Sequence, residues 1–263
     1  MAAVPLGLVL GFLASSVVVG GIAAVGGYDL NHLPPGLNLS ADVLFDLGFV
    51  AAALYMAKVT GGLRASDFGF RRVRIPPALG VTVLAAVSYY VVTAIYASAL
   101  HFHGNEKLPR ELGVSKNTAA LAGAAVFVCL IAPVAEEFFF RGFIFGVLRR
   151  WRIVVAGRQL GPWVAAVITG ILFGLAHSGS ASPRYLVPLG FLGFVLCLVR
   201  WRTGSLYPCI ALHALNNSLA LGVGQLSWNA PEVVALVVGS VVVAVAVTLP
   251  LAGPRRTATS AVV

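Results

Sequence analysis

Five ionisable side chains lie where the sequence is otherwise apolar: Glu136, Glu137, Arg141, His177 and His213. An ionisable group inside a bilayer-spanning helix costs about 2.5–3.5 kcal/mol on insertion scales, so it is kept for chemistry or for pairing. The first three fall in Ala135-Glu136-Glu137-Phe138-Phe139-Phe140-Arg141. In an α-helix Glu137 and Arg141, four apart, share a face and can form an ion pair. Glu136 points about 100° away from Glu137. The pair neutralises itself and leaves Glu136 to face a cavity, where a carboxylate can act as general base or acid. The competing reading is a purely structural Glu–Arg pair that locks helix packing. It accounts for Glu137 and Arg141 but gives Glu136 no reason.

Two further groups follow. In Phe173-Gly174-Leu175-Ala176-His177 the Phe and His share a face, and the small residues between them admit a neighbouring helix. A histidine at a helix end, taken alone, is more often an interfacial residue than a catalyst. In His213-Ala214-Leu215-Asn216-Asn217, His213 and Asn217 are again four apart. Side by side they could donate two hydrogen bonds to one acceptor, as in an oxyanion hole, or they could merely join helices. Asp42 and Asp46 are read as helix-capping carboxylates in the first turns of a span rather than as chemistry.

The elements that must position these residues are transmembrane helices. The chain has 263 residues, 59% hydrophobic and only 10% charged. A soluble domain carries about 25% charged residues, so lipid must cover much of this surface. Eight apolar runs approach the roughly 20 residues needed to cross hydrocarbon. They cover about 5–26, 41–59, 77–101, 117–150, 160–177, 185–200, 206–223 and 233–251. The expected fold is all-α, a polytopic bundle of about eight helices. The first run lacks a charged n-region and a cleavage site and is read as a retained span. The fourth run is too long for one straight crossing, and Pro133 is a ready cause of a bend before the glutamates. Cys129, Cys197 and Cys209 lie in apolar runs without a metal or disulfide pattern, as small hydrophobes do.

The net charge of +9 is spread over short clusters rather than one patch, which excludes nucleic-acid binding. Thirteen Lys and Arg residues fall on one side of the eight-span arrangement: Lys58, Arg64, Arg71, Arg72, Arg74, Arg149, Arg150, Arg152, Arg158, Arg200, Arg202, Arg255 and Arg256. Lys107, Arg110, Lys116 and Arg184 fall on the other, partly balanced by Glu106 and Glu111. The asymmetry predicts a multi-pass cell-membrane protein with both termini cytoplasmic. Residues 63–75 are either an interfacial segment anchored by Phe68 and Phe70 or a plain basic loop. The loop Asn31–Ser40 is read as punctuation only.

The three motifs in order, Glu136-Glu137 to Arg141, Phe173 to His177 and His213 to Asn217, resemble those of the CPBP family. These are intramembrane endopeptidases named for CAAX proteases and bacteriocin-processing enzymes, and are also called Abi proteins. The resemblance covers roughly residues 119–221, and Asp67-Phe68-Gly69-Phe70-Arg71-Arg72 is also similar to a segment seen there. It divides the chain into residues 1–115 (three spans and a basic loop), 116–225 (the CAAX-protease-like catalytic core) and 226–263 (a last span and basic tail). It implies cleavage of a peptide bond in a membrane protein or peptide, a prenylated tail or a bacteriocin-type leader among them. Glu136 and His177 would then activate water, His213 and Asn217 would hold the oxyanion, and Arg141 would brace Glu137. No cofactor is expected. Zinc is the alternative, with Glu136, His177 and His213 as ligands, but no HExxH motif asks for it.

Two other classes compete: a non-enzymatic immunity or scaffold protein on the same fold, and a proton-coupled transporter. The sequence shows no inverted repeat and no paired broken half-helices, which argues against the transporter.

Overall fold

The computed structural model describes residues 3–29, 33–59, 64–100, 118–178 and 180–252. Within them the chain is an all-α polytopic bundle. Its helices are α1 (Ala3–Gly26), α2 (Pro35–Val59), the single turn α3 (Ala65–Phe68) and α4 (Ile75–Ala99). Then come α5 (Thr118–Leu148), α6 (Gly161–Ala176), α7 (Pro183–Thr203), α8 (Tyr207–Leu219) and α9 (Ala230–Thr248). Apart from α3, these match the eight expected spans in order. Helices α2, α4, α5, α7 and α9 with its closing turn are long and apolar enough to cross a membrane; α6 is a shorter apolar helix. A π-helical turn, Ala220–Gln225, prolongs α8. A small antiparallel hairpin, β1 (Val154–Val155) with β2 (Arg158–Gln159), closes the α5–α6 connection. Ala156 and Gly157 turn it with positive φ.

Two expectations need correction. The stretch 35–40 is not loop, because α2 begins at Pro35. Proline suits the first helical position, where its missing N–H would have no partner. Asp42 and Asp46 therefore stand two and three turns inside the helix, beyond any capping role. Nor are Phe68 and Phe70 membrane anchors: both are buried, at 5% and 4% exposure. Their rings pack on Phe138 of α5 at 4.5 and 6.1 Å. Gly69, at φ +107°, makes the turn between them, and its carbonyl accepts from Leu206 N at 2.9 Å. The Ser205 hydroxyl donates to the Arg71 carbonyl at 2.7 Å. The basic segment is thus tied to the α7–α8 corner beneath α5. His101, Glu106, Lys107, Arg110, Glu111, Lys116, Leu63 and the tail arginines Arg255 and Arg256 lie outside the described residues.

Packing follows residue size. Helix α4 packs on α7 and α8 and turns Leu79, Val83, Val87, Val91 and Ile95 outward, as lipid contact requires. Helix α2 lies on α5 through Phe49, which stacks on Phe139 with ring centroids 4.5 Å apart. Helices α6 and α7 approach backbone to backbone. A Cβ on Gly170 would stand 2.7 Å from the Gly190 carbonyl, and one on Gly174 would stand 2.6 Å from the Leu186 carbonyl. Both obstacles are backbone and cannot swing aside.

Gly170→Ala or Gly174→Ala should therefore prise α6 from α7 and destabilise by about 1–3 kcal/mol. Gly80→Ala on α4, with nothing within 4 Å of the new Cβ, should be neutral or gain about 0.5–1 kcal/mol from reduced chain freedom. Unfolding of the purified protein in detergent checks the contrast, and equal effects at the three sites would contradict it.

Candidate active site

The glutamates lie in a short α-helical stretch of α5, Ala132–Glu137, between two π-helical turns, Phe127–Ile131 and Phe138–Ile144. Such wide turns pair each N–H with the carbonyl five residues back. Pro133 has no N–H to offer, so the carbonyl five residues earlier, on Val128, lacks its donor. Asn217 of α8 fills the place: its Nδ2 donates to the Val128 oxygen at 2.8 Å. The bend expected at Pro133 is thus a widened turn stitched to the third motif.

Glu137 and Arg141 form the expected pair. Arg141 Nη1 donates to Glu137 Oε1 at 2.7 Å, and neither side chain is exposed. Arg141 Nη2 also donates to the Gly193 carbonyl of α7 at 3.3 Å. Its guanidinium lies 4.2 Å above the Phe173 ring. His213 joins them, since its Nδ1 stands 2.9 Å from the same Glu137 Oε1. A carboxylate only accepts, so Nδ1 carries the proton and Nε2 is the nitrogen left for other work. Phe173 lies between both histidines, its centroid 4.8 Å from His177 and 5.6 Å from His213. The aromatic of the second motif is therefore the packing centre of the site.

His177 is fixed in the same way. Its Nδ1 lies 2.8 Å from the Phe173 carbonyl, which can only accept. Nε2 is then the lone-pair nitrogen of the neutral ring, 3.7 Å from Glu136 Oε2. That gap is too long for a direct hydrogen bond and is of the length that a single water bridges.

Glu136, His177, His213 and Asn217 line one open cavity of about 290 Å³. Three helices supply the four residues. The cavity lies at the end of the bundle that holds Ser180 and Ala181 of the α6–α7 connection, away from the β1–β2 hairpin. Glu137 and Arg141 sit behind the wall. Sequence reasoning missed Asp42 and Asp46, which line the cavity opposite α5, together with Ser180 and Asn216. The i, i+4 spacing of the two aspartates was visible, but the helix start was placed too late to show where they point.

Of the alternative zinc set, Glu136 Oε2 and His177 Nε2 are 3.7 Å apart, and His213 turns Nδ1 to Glu137 with Nε2 as its other nitrogen. Among the described residues no group of three His, Cys, Asp or Glu side chains is placed to hold an ion.

Removing one partner of a buried pair leaves an uncompensated charge, at a cost of about 3–5 kcal/mol. Arg141→Leu should destabilise by that order in thermal unfolding. The double variant Glu137→Gln/Arg141→Leu should recover part of the loss, and a strictly additive double variant would refute the coupling.

The chain is 26% identical over 154 residues to an "Uncharacterized 24.3 kDa protein" of Escherichia coli. That match covers 57% of this chain and 64% of the relative, just under two thirds of its length. No solved structure matches the chain. A family model described as "Type II CAAX prenyl endopeptidase Rce1-like" matches residues 118–219, the stretch that holds all three motifs. That stretch is an Rce1-like domain of the CAAX protease (CPBP) family, carried by a multi-pass membrane protein.

Proposed function

We propose that the chain is an intramembrane endopeptidase in which Glu136 and His177 activate water, while His213 and Asn217 hold the oxyanion. The observation that carries this reading is the shared cavity, with Glu136 Oε2 and His177 Nε2 3.7 Å apart on two different helices. A water between them gives one proton to Glu136, and its second hydrogen is held by the His177 lone pair. Its oxygen attacks the scissile carbonyl, whose electron pair moves onto the carbonyl oxygen. The collapsing intermediate expels the amine, which takes the proton from Glu136. The His213 and Asn217 donors act where that negative charge develops, and loss of one such donor typically costs 10²–10³ in kcat.

One condition follows from the Glu137 contact. Because His213 Nδ1–H is committed to Glu137, Nε2 can donate to an oxyanion only when the ring is the imidazolium. Asn217 gives one amide hydrogen to Val128 and keeps the other for substrate.

Orientation narrows the substrate. With the thirteen basic residues cytoplasmic, both termini are cytoplasmic too, and the cavity lies at the extracytoplasmic end of the bundle. That placement favours a membrane peptide or protein cut on the outer side, such as the leader of an exported peptide, over a prenylated cytoplasmic tail.

Cleavage of a panel of membrane-inserted peptides in liposomes should fall at least about 100-fold in Glu136→Gln and be unaffected by chelator. Equal inactivity of wild type and variant across the panel would contradict the enzyme reading, and chelator sensitivity would contradict the metal-free mechanism. The value of kcat/KM should rise with pH as Glu136 becomes the carboxylate that accepts a proton, and a rate that is flat or falling over the acidic range would contradict that role.

A further inference from the structure

We infer that Tyr90 and Asn216 are positioning residues for the oxyanion donor Asn217, so that α4, outside the stretch matched by the family model, takes part in the site. The inference rests on the peptidase reading of the cavity. Three hydrogen bonds run in series from α4 through α8 to α5. The Tyr90 hydroxyl donates to Asn216 Oδ1 at 3.4 Å, and Asn216 Nδ2 donates to Asn217 Oδ1 at 3.3 Å. Asn217 Nδ2 then donates to the Val128 carbonyl at 2.8 Å.

The direction of every bond in the series is set at its α5 end. A backbone carbonyl only accepts, so Asn217 must turn its nitrogen to Val128 and its oxygen the other way. That oxygen only accepts as well, so Asn216 must meet it with nitrogen and turn its own oxygen to Tyr90. The phenol has a hydrogen to give there. Reversing either amide would set like atoms against each other. The place on Val128 exists because Pro133 has no N–H, so one missing donor in α5 orients two side chains of α8 and one of α4.

The consequence is a fixed amide plane. With its oxygen and one amide hydrogen both held, Asn217 has no freedom about its last torsion, and its second Nδ2 hydrogen has a defined direction. Asn216 and Asn217 both line the cavity. Tyr90 acts from a packed surface: its ring is 5.0 Å from that of Tyr89, which is buried and stacks on Phe191 of α7 at 6.2 Å. A donor held in advance stabilises developing charge without reorganisation at the moment of reaction. A chain that merely tied α4 to α8 would act alike with any residue at position 217, whereas a positioning chain acts only through the Asn217 amide.

The test uses the full-length protein in lipid nanodiscs. For a membrane peptide that wild type cleaves, Tyr90→Phe should lower kcat roughly 3–10-fold, the worth of one hydrogen bond, with KM unchanged. Asn216→Leu should lose at least as much. In an Asn217→Ser background, Tyr90→Phe should cost nothing further. An equal loss in both backgrounds, a rise in KM in place of the loss in kcat, or full activity of Tyr90→Phe would each overturn the inference. A second readout needs neither turnover nor a folded Asn217→Ser protein. In protein with nitrogen-15-labelled asparagine, the Asn217 side-chain amide is recognised by nuclear magnetic resonance through its proximity to Val128. Its hydrogens should exchange with water roughly 3–10-fold faster in Tyr90→Phe. Unchanged exchange would overturn the inference whatever the activity. Faster exchange in a protein that cleaves no peptide would keep the positioning chain and refute the peptidase reading, so the two failures are distinguishable.

Discussion

One carboxylate with no exposed atom, Glu137, is shared between the Arg141 guanidinium on its own helix and the His213 imidazole on α8. Everything around the cavity is arranged to make that burial tolerable. Arg141 lies against the face of Phe173 and reaches the Gly193 backbone, so α5, α6, α7 and α8 all meet on one charge cluster. In a low-dielectric interior such a cluster gives little net stability, because desolvation offsets most of the attraction. What it gives is uniqueness, since any slippage of one helix strands a charge. The glycine faces of α6 and α7 serve the same end, because only a backbone-to-backbone approach lets the Gly193 carbonyl meet the guanidinium.

Asn217 has a comparable double life. Pro133 interrupts the α5 ladder next to the glutamates, and the amide that repairs the interruption also lines the cavity. Bundle stability and the oxyanion binding proposed above thus draw on the same side chain. The histidines are set by the same economy: each has Nδ1 held by an acceptor of the scaffold, so tautomer and aim are fixed together.

Much of this was legible in the sequence because its signals were local. The Glu137–Arg141 pair follows from helical spacing and the eight helices from apolar runs. The contact between Glu136 and His177 was legible only as a convergence of three spans, since no spacing rule reports distances between helices. Three features escaped for physical reasons. Helix α2 starts inside a Pro-Pro-Gly sequence that reads as a turn, which hid the direction of Asp42 and Asp46. Phe68 and Phe70 look like interfacial anchors because they sit among arginines. Only the long-range bonds from Gly69 and Arg71 to the α7–α8 corner fold them inward. The π-helical turns left no compositional trace apart from Pro133.

Those two wide turns carry a consequence for helical phase. A π-helical turn fits one residue more than an α-helical turn would, so residues on either side of it are offset by about 100° from the register of a straight α-helix. Glu136 sits between two such offsets and owes its aim into the cavity to the first of them. The loss or gain of a single residue in Phe127–Ile131 would act as a rotary displacement, turning Glu136 toward lipid and another face of α5 toward His177 while leaving every motif residue in place. A one-residue insertion or deletion ahead of the glutamates therefore disturbs the site more than a substitution there.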